Sequence, residues 1–149
     1  MLLWHMTRDE FLVRDFFIHW LYPVCYESTA FAVRQEDLRP YLLTLGRRGG
    51  VTEHVWSEST FHRVATGLLR MAEDFGFLEG EVLKCFTSYE LPERSFSYIV
   101  RLMYEAGGSR KTVIASKEWR MFLMRPSDVE QKLSRLKLGK VEAECATIT

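Results

Sequence analysis

The chain is expected to fold as a mainly α-helical, compact bundle with a small two-stranded β element. Three observations carry that expectation. Apolar residues at Phe61, Val64, Ala65, Leu68, Leu69, Ala72 and Phe75 form one stripe at helical spacing. Two capping boxes, Thr7-Arg-Asp-Glu10 and Ser127-Asp-Val-Glu130, mark helix starts at opposite ends of the chain. Strand character is confined to Glu81–Thr87 and the alternating C-terminal tail. With 149 residues, one helical domain spanning 1–149 is expected, long enough to bury a core.

The elements follow in order. The Thr7 box opens a helix with Leu12, Val13, Phe16, Phe17 and Trp20 on a broad apolar face, and Pro23 is expected to stop it. Leu2-Leu3-Trp4, ahead of the cap, reads as the tail of an earlier helix. After a loop through Tyr26, Glu27 and Ser28, a helix is expected from about Glu36 to Thr44. Pro40 near its first turns is tolerated because early amides have no helical acceptor. Gly46, Gly49 and Gly50, around Arg47 and Arg48, terminate it.

Ser57 is the expected N-cap of the central helix that carries the long stripe. Gly76 followed by Phe77 fits a left-handed C-cap with an apolar residue folding back. Glu81–Thr87 then reads as a short strand. Pro92, placed at a first helical position, starts a helix with Phe96, Ile99, Val100 and Met103 inward, ended by Gly107-Gly108. Short helical stretches are expected over Arg110–Ala115 and Lys117–Met124. The Ser127 box opens a last helix through Leu138 that Gly139 closes. In the tail Val141, Ala143, Cys145 and Thr147 share one face, a half-buried strand expected to pair with Glu81–Thr87.

Composition narrows the function. Cys25, Cys85 and Cys145 lie about sixty residues apart, an odd, scattered set that suits a reducing cytoplasm better than disulfides or zinc. His5, His19, His54 and His62 show no ligand spacing, so no metal or other cofactor is expected. The most apolar stretch, Phe11–Val24, is broken by Arg14, Asp15 and His19 and falls short of the roughly 20 residues a membrane span needs. The N-terminus lacks a basic region and a cleavage site for secretion. A cytoplasmic protein is expected.

Formal charge is zero but unevenly spread. Residues 109–140 hold nine Lys or Arg against three acids, a net +6 that the rest of the chain balances with −6. Such segregation creates an oriented field that the net value hides.

The tryptophan motifs bring a family into view. Trp56-Ser-Glu-Ser-Thr, the following helix ending Asp74-Phe-Gly-Phe-Leu, and Leu91-Pro92 occur in order. Ser116-Lys-Glu-Trp-Arg-Met-Phe-Leu and Pro126-Ser-Asp-Val-Glu follow, so the pattern extends over about a hundred residues. In these the chain resembles the BrxA family, a small component of the BREX bacteriophage-exclusion systems. The resemblance implies a helical fold similar to the NusB-type RNA-binding bundle. It also implies a non-enzymatic accessory role, through nucleic-acid contact or assembly with other defence components. Family members usually carry roughly fifty further N-terminal residues, and this chain starts within what looks like their second segment.

The candidate nucleic-acid ligands are Arg110, Lys111, Lys117, Arg120, Arg125, Lys132, Arg135, Lys137 and Lys140, which could neutralise phosphates. Lys132 and Arg135, three apart, are expected on one helix face turned away from Val129, Leu133 and Leu136. The competing reading is a solvated charged face with Asp128 pairing Lys132. Arg120, beside Trp119, is either a phosphate ligand or a buried structural partner. Arg47-Arg48-Gly-Gly is a second candidate, because glycines let backbone amides approach a phosphate. Cations at a helix C-cap are the stronger explanation there. The last helix and tail also fit a winged-helix reader. Trp56, Trp119 and Phe122 could stack on bases, although their spacing favours core. His62 and Arg63 flank the central stripe and face outward.

Ser57–His54 or Ser59–His62 could be imagined as nucleophile pairs, but no elbow, oxyanion loop or orienting carboxylate accompanies them. No phosphate-binding glycine loop is present either. The chain is therefore expected to be no enzyme. Its expected role is a phage-defence accessory protein binding DNA, or alternatively RNA, through the basic segment. The rival is a scaffold subunit that docks other BREX proteins and uses its charges for solubility.

Overall fold

The computed structural model describes residues 11–45 and 57–136. They fall into two compact units, Met1–Glu90 and Leu91–Thr149. The architecture is mainly helical, as the stripe and caps require, with a small three-stranded antiparallel sheet.

In the first unit, α1 (Phe11–Asp15) runs into a π-helical turn (Phe16–Leu21) and on into α2 (Tyr22–Tyr26). Pro23 thus does not stop the helix. The π turn lets the Tyr22 amide reach back five residues to the Phe17 carbonyl. Pro23 then falls at the start of a fresh α segment, where its missing amide matters least. The wider turn also buries Phe16, Phe17, Ile18, Trp20 and Leu21 together. Phe16 stacks on Trp20 at 5.4 Å, and Phe17 meets Phe77 edge-on at 5.5 Å.

After β1 (Ala32–Val33), a 3₁₀ turn (Gln35–Leu38) leads into α3 (Arg39–Thr44). The Arg34 amide donates to Asp37 Oδ2 at 2.7 Å, which fixes the turn's entry. Tyr41 donates to the carboxylate of Asp15 at 2.7 Å, and Asp15 is 6% exposed.

α4 (Glu58–Asp74) is capped by Ser57, which accepts from the Thr60 amide. Phe61, Ala65, Leu68, Leu69 and Ala72 are buried along the expected stripe. The Phe77 amide donates to Ala72 O and the Gly76 amide to Glu73 O. This is a Schellman cap, and Gly76 takes the left-handed backbone it needs at φ +84°.

β2 (Leu78–Glu79) and β3 (Lys84–Phe86) form a hairpin, and β1 pairs with the other side of β3. The sheet order is β1-β3-β2, so the strand expected within Glu81–Thr87 exists but has two partners near it in space. At two residues each, β1 and β2 are too short for alternation to reveal. The tail strand lies outside the described residues, as do the Thr7 box, the Gly46–Gly50 terminator and Trp56.

The second unit holds α5 (Glu93–Glu105), α6 (Arg110–Ile114), a 3₁₀ segment (Lys117–Phe122) and a helix, α7, described over 126–136. Pro92 is the N-cap of α5 rather than its first residue, with extended backbone at ψ 143°. Gly107 at φ +91° ends α5, and Gly108 donates to Met103 O. Trp119 is 1% exposed, its ring tilted against Phe96 at 5.0 Å between centroids, and donates its indole N–H to Val113 O. The Lys117–Met124 helix is instead a 3₁₀ segment closed by Leu123, the one described non-glycine residue with positive φ, at 51°.

α7 opens two residues earlier than its capping box implies. Asp128 Oδ2 accepts from the Arg125 amide, and the Val129 amide donates to Arg125 O. Arg125 therefore stands at the N-cap, Pro126 fills the first helical position and Ser127 lies inside the first turn. Asp128, rather than Glu130, reaches back to the N-cap amide.

Candidate nucleic-acid interface

Ser109 caps α6 by accepting from the Thr112 amide, while Thr112 accepts from the Ser109 amide. This reciprocal cap sets Arg110 and Lys111 in the first turn of the helix. Lys111 is exposed, whereas Arg110 is half-buried and its Nη1 is buried without a hydrogen-bond partner among the described residues. Ser116 caps the 3₁₀ segment through the Glu118 amide and leaves Lys117 exposed at its start. Arg120 is half-buried and partnered, which favours its structural reading.

Arg125 and Lys132 are engaged. Arg125 makes a two-pronged contact with Asp128, Nε to Oδ2 at 3.0 Å and Nη2 to Oδ1 at 3.1 Å. The hydrogen bonds from Arg125 hold the Asp128 carboxyl below the usual carboxylate range. Asp128 thus pairs Arg125, the residue three before it, where Lys132 was expected. Lys132 Nζ donates to the Leu91 carbonyl and lies 5.7 Å from the centre of the Phe96 ring. Lys132 and Arg135 therefore do not share one open face: Lys132 is half-buried, and Arg135 is exposed.

Lys111, Lys117 and Arg135 remain as exposed cations with no ion-pair partner among the described residues. Lys137, Lys140, Arg47 and Arg48 lie outside those residues. Trp119 and Phe122, 1% and 3% exposed, are core, which removes them as base-stacking platforms.

A cationic stripe escaped the count because it precedes residue 109. On α5, Arg94, Tyr98 and Arg101 follow i, i+4, i+7 spacing and are all exposed, opposite buried Phe96, Ile99 and Val100. Arg101 Nε bonds Glu105 at 2.8 Å, and Arg94 has no such partner. The outward face of a strongly amphipathic helix was readable from the spacing of Phe96, Ile99, Val100 and Met103.

Of the first unit's histidine and serine candidates, His54 lies outside the described residues, and His62, Ser57 and Ser59 make contacts with their neighbours. His62 Nδ1 and the Gln35 side-chain amide are in hydrogen-bond contact at 2.5 Å. Ser57 caps α4, and its Oγ is 3.1 Å from Ser59 Oγ. Arg39 grips Glu58 with two hydrogen bonds and lies 4.2 Å over the Phe61 ring, tying α3 to α4. The bond from Arg39 lowers the Glu58 carboxyl from its ordinary value. Among the described residues no group of His, Cys, Asp and Glu could hold a metal ion. No helix there is long and apolar enough to cross a membrane.

A profile of the family described as BrxA matches residues 1–102, more than two thirds of the chain. The chain belongs to the BrxA family. Membership points to a component of BREX phage defence. The matched stretch covers the central α4 and nearly all of α5, including Arg94, Tyr98 and Arg101. The Trp119 motif, the α7 cap and the basic segment from 109 onward lie beyond it. No curated protein and no solved structure matches this BrxA-family chain.

Proposed function

We propose that the chain is a non-enzymatic accessory protein of the BREX system that binds nucleic acid, DNA in the first instance, through the Leu91–Thr149 unit. The observation that carries this reading is the set of exposed cations there. Arg94, Lys111, Lys117 and Arg135 have no ion-pair partner among the described residues, and Arg101 lies on the α5 stripe with Arg94. A guanidinium or ammonium held in water without a partner is available to displace counterions from a phosphate backbone. Tyr98, 42% exposed between Arg94 and Arg101, adds a hydroxyl and a ring that can contact a sugar-phosphate chain.

Catalysis is not part of the proposal. Among the described residues that could suggest it, Ser57 is held in a cap and His62 in a contact with Gln35. Cytoplasmic residence belongs to the same reading, since BREX acts where phage DNA arrives.

Fluorescence anisotropy with a labelled DNA duplex tests the reading. About five phosphate contacts should weaken binding by roughly 10²- to 10³-fold between about 50 and 200 mM salt. No binding at the lowest salt would remove the proposal and favour the scaffold role. That second role draws on one observation of its own, the exposed apolar side chains Phe31 and Val82 in the other unit.

A further inference from the structure

The three-stranded sheet carries an apolar surface that no described residue covers. Strand alternation turns Val33 and Leu78 inward, at 1% and 2% exposure. It turns Ala32, Cys85 and Glu79 to the opposite face, and the register sets them in one row across the sheet. Leu83, 45% exposed, continues that face two residues before Cys85. Phe31, at the head of β1, is 90% exposed, and Val82, at the hairpin tip, is 81% exposed. Single exposed apolar side chains are ordinary, but several around one small sheet make a patch.

The same sheet and its flanks carry an excess of acid. Residues 27–37 and 77–90 contain six Asp or Glu against two Lys or Arg. Of those two cations, Lys84 is bound to Glu73 at 2.8 Å. The apolar patch is thus rimmed by an excess of negative charge, with Glu79 in its central row and Glu81 exposed at its tip.

We propose that this sheet face docks the exposed cations of a second copy of the chain, Lys111, Lys117 and Arg135, in a head-to-tail contact. Like-charge repulsion opposes the symmetric alternative, in which two acidic sheets would meet. The chain's own charges supply the complement, because a net of zero requires the acid excess to be matched elsewhere in the sequence. A neutral chain also has no net charge to hold copies apart. A contact between unlike surfaces leaves one of each free at the ends, so further copies can add to it, as a ring or an open chain. A handful of side chains falls short of the ~800 Å² per partner of a stable interface, which makes the association weak and salt-sensitive. No nucleic acid takes part, so the inference stands apart from the DNA-binding proposal.

Sedimentation velocity of the full chain, in reducing buffer without nucleic acid, tests it. At about 50 mM salt the weight-average mass should rise roughly twofold or more with concentration, and return to monomer near 500 mM. Phe31→Ser, which changes one exposed side chain, should weaken association by about tenfold. Glu79→Lys with Glu81→Lys should be monomeric alone, as should Lys111→Glu with Lys117→Glu, and mixing these two variants should restore association. Circular dichroism confirms that each remains folded. A wild-type chain that stays monomeric at low salt overturns the proposal. So does association that survives the Glu79/Glu81 reversal, or a mixture that fails to associate.

Discussion

The ammonium of Lys132 donates to the backbone carbonyl of Leu91, forty-one residues earlier in the chain. That bond ties α7 to the residue immediately before the α5 cap, and the Phe96 ring lies below the same charge. One of the nine cations of the basic segment is therefore spent on holding the unit together. Leu91 is itself 3% exposed, so its carbonyl has little access to water as a substitute partner.

Replacing Lys132 by methionine should lower unfolding stability by about 1–2 kcal/mol, the loss of a hydrogen bond from a charged donor to a buried acceptor. Lys117→Met, at an exposed position, should change it by less than about 0.5 kcal/mol. Urea denaturation separates the two. Equal effects would show that the Leu91 contact contributes nothing.

The same pair divides DNA binding in the opposite sense. Lys111→Glu with Lys117→Glu should weaken duplex binding by more than about tenfold with an unchanged melting temperature. Lys132→Met should leave the affinity of the folded protein within about threefold of wild type. Anisotropy titrations at one fixed salt concentration measure both.

Asp128 makes the entry to α7 sensitive to acid. Its carboxyl is held below the ordinary value by the hydrogen bonds from Arg125, so protons bind the unfolded chain more readily. The stabilisation is complete above the unfolded pKa of about 3.9 and is lost as pH falls through the lower folded value. Asp128→Ala should therefore be less stable than wild type at neutral pH, by about 1 kcal/mol for the lost cap. Thermal melts from pH 7 down to pH 2 should show that gap closing at the acid end. A gap constant with pH would mean that the carboxylate's charge plays no part.

Two glycines separate backbone strain from steric exclusion. A Cβ on Gly76, at φ +84°, meets only the Tyr89 ring at 3.7 Å, so Gly76→Ala should cost about 1 kcal/mol of left-handed strain. Gly80, at φ +123°, would drive its Cβ into the Leu83 carbonyl. Gly80→Ala should cost distinctly more, roughly 2–3 kcal/mol, because the hairpin must open to admit it. Chemical denaturation of the two variants ranks them.

Helices were legible because their signals are local. Ser57 caps where its hydroxyl should, Phe61, Ala65, Leu68, Leu69 and Ala72 of the stripe form the buried face of α4, and Gly76 and Gly107 end helices by adopting positive φ. Contacts distant in sequence were not legible. Nothing in the neighbourhood of Lys132 announces Leu91, and a two-residue strand such as Ala32–Val33 has no period to detect. Pro23 misled for a different reason. Proline breaks a regular α-helix, and the π turn that lets the chain continue depends on how Phe16–Leu21 pack, which spacing alone does not express. In the candidate interface, counting charges found Lys111, Lys117 and Arg135 but could not tell them from Arg125 and Lys132. The α5 stripe was missed because a run of cations along the sequence was sought rather than a face of a helix.

That π turn also bears on how the first unit tolerates insertion and deletion. A π turn holds one residue more than an α turn, so the side chains after it are out of phase with those before it by roughly a quarter revolution. A helical wheel drawn continuously from Phe11 to Tyr26 therefore misassigns the inward side at one end. Shortening this stretch by a single residue would restore an unbroken α-helix. It would also return Pro23 to a helix interior, where the ring has no room against the preceding turn.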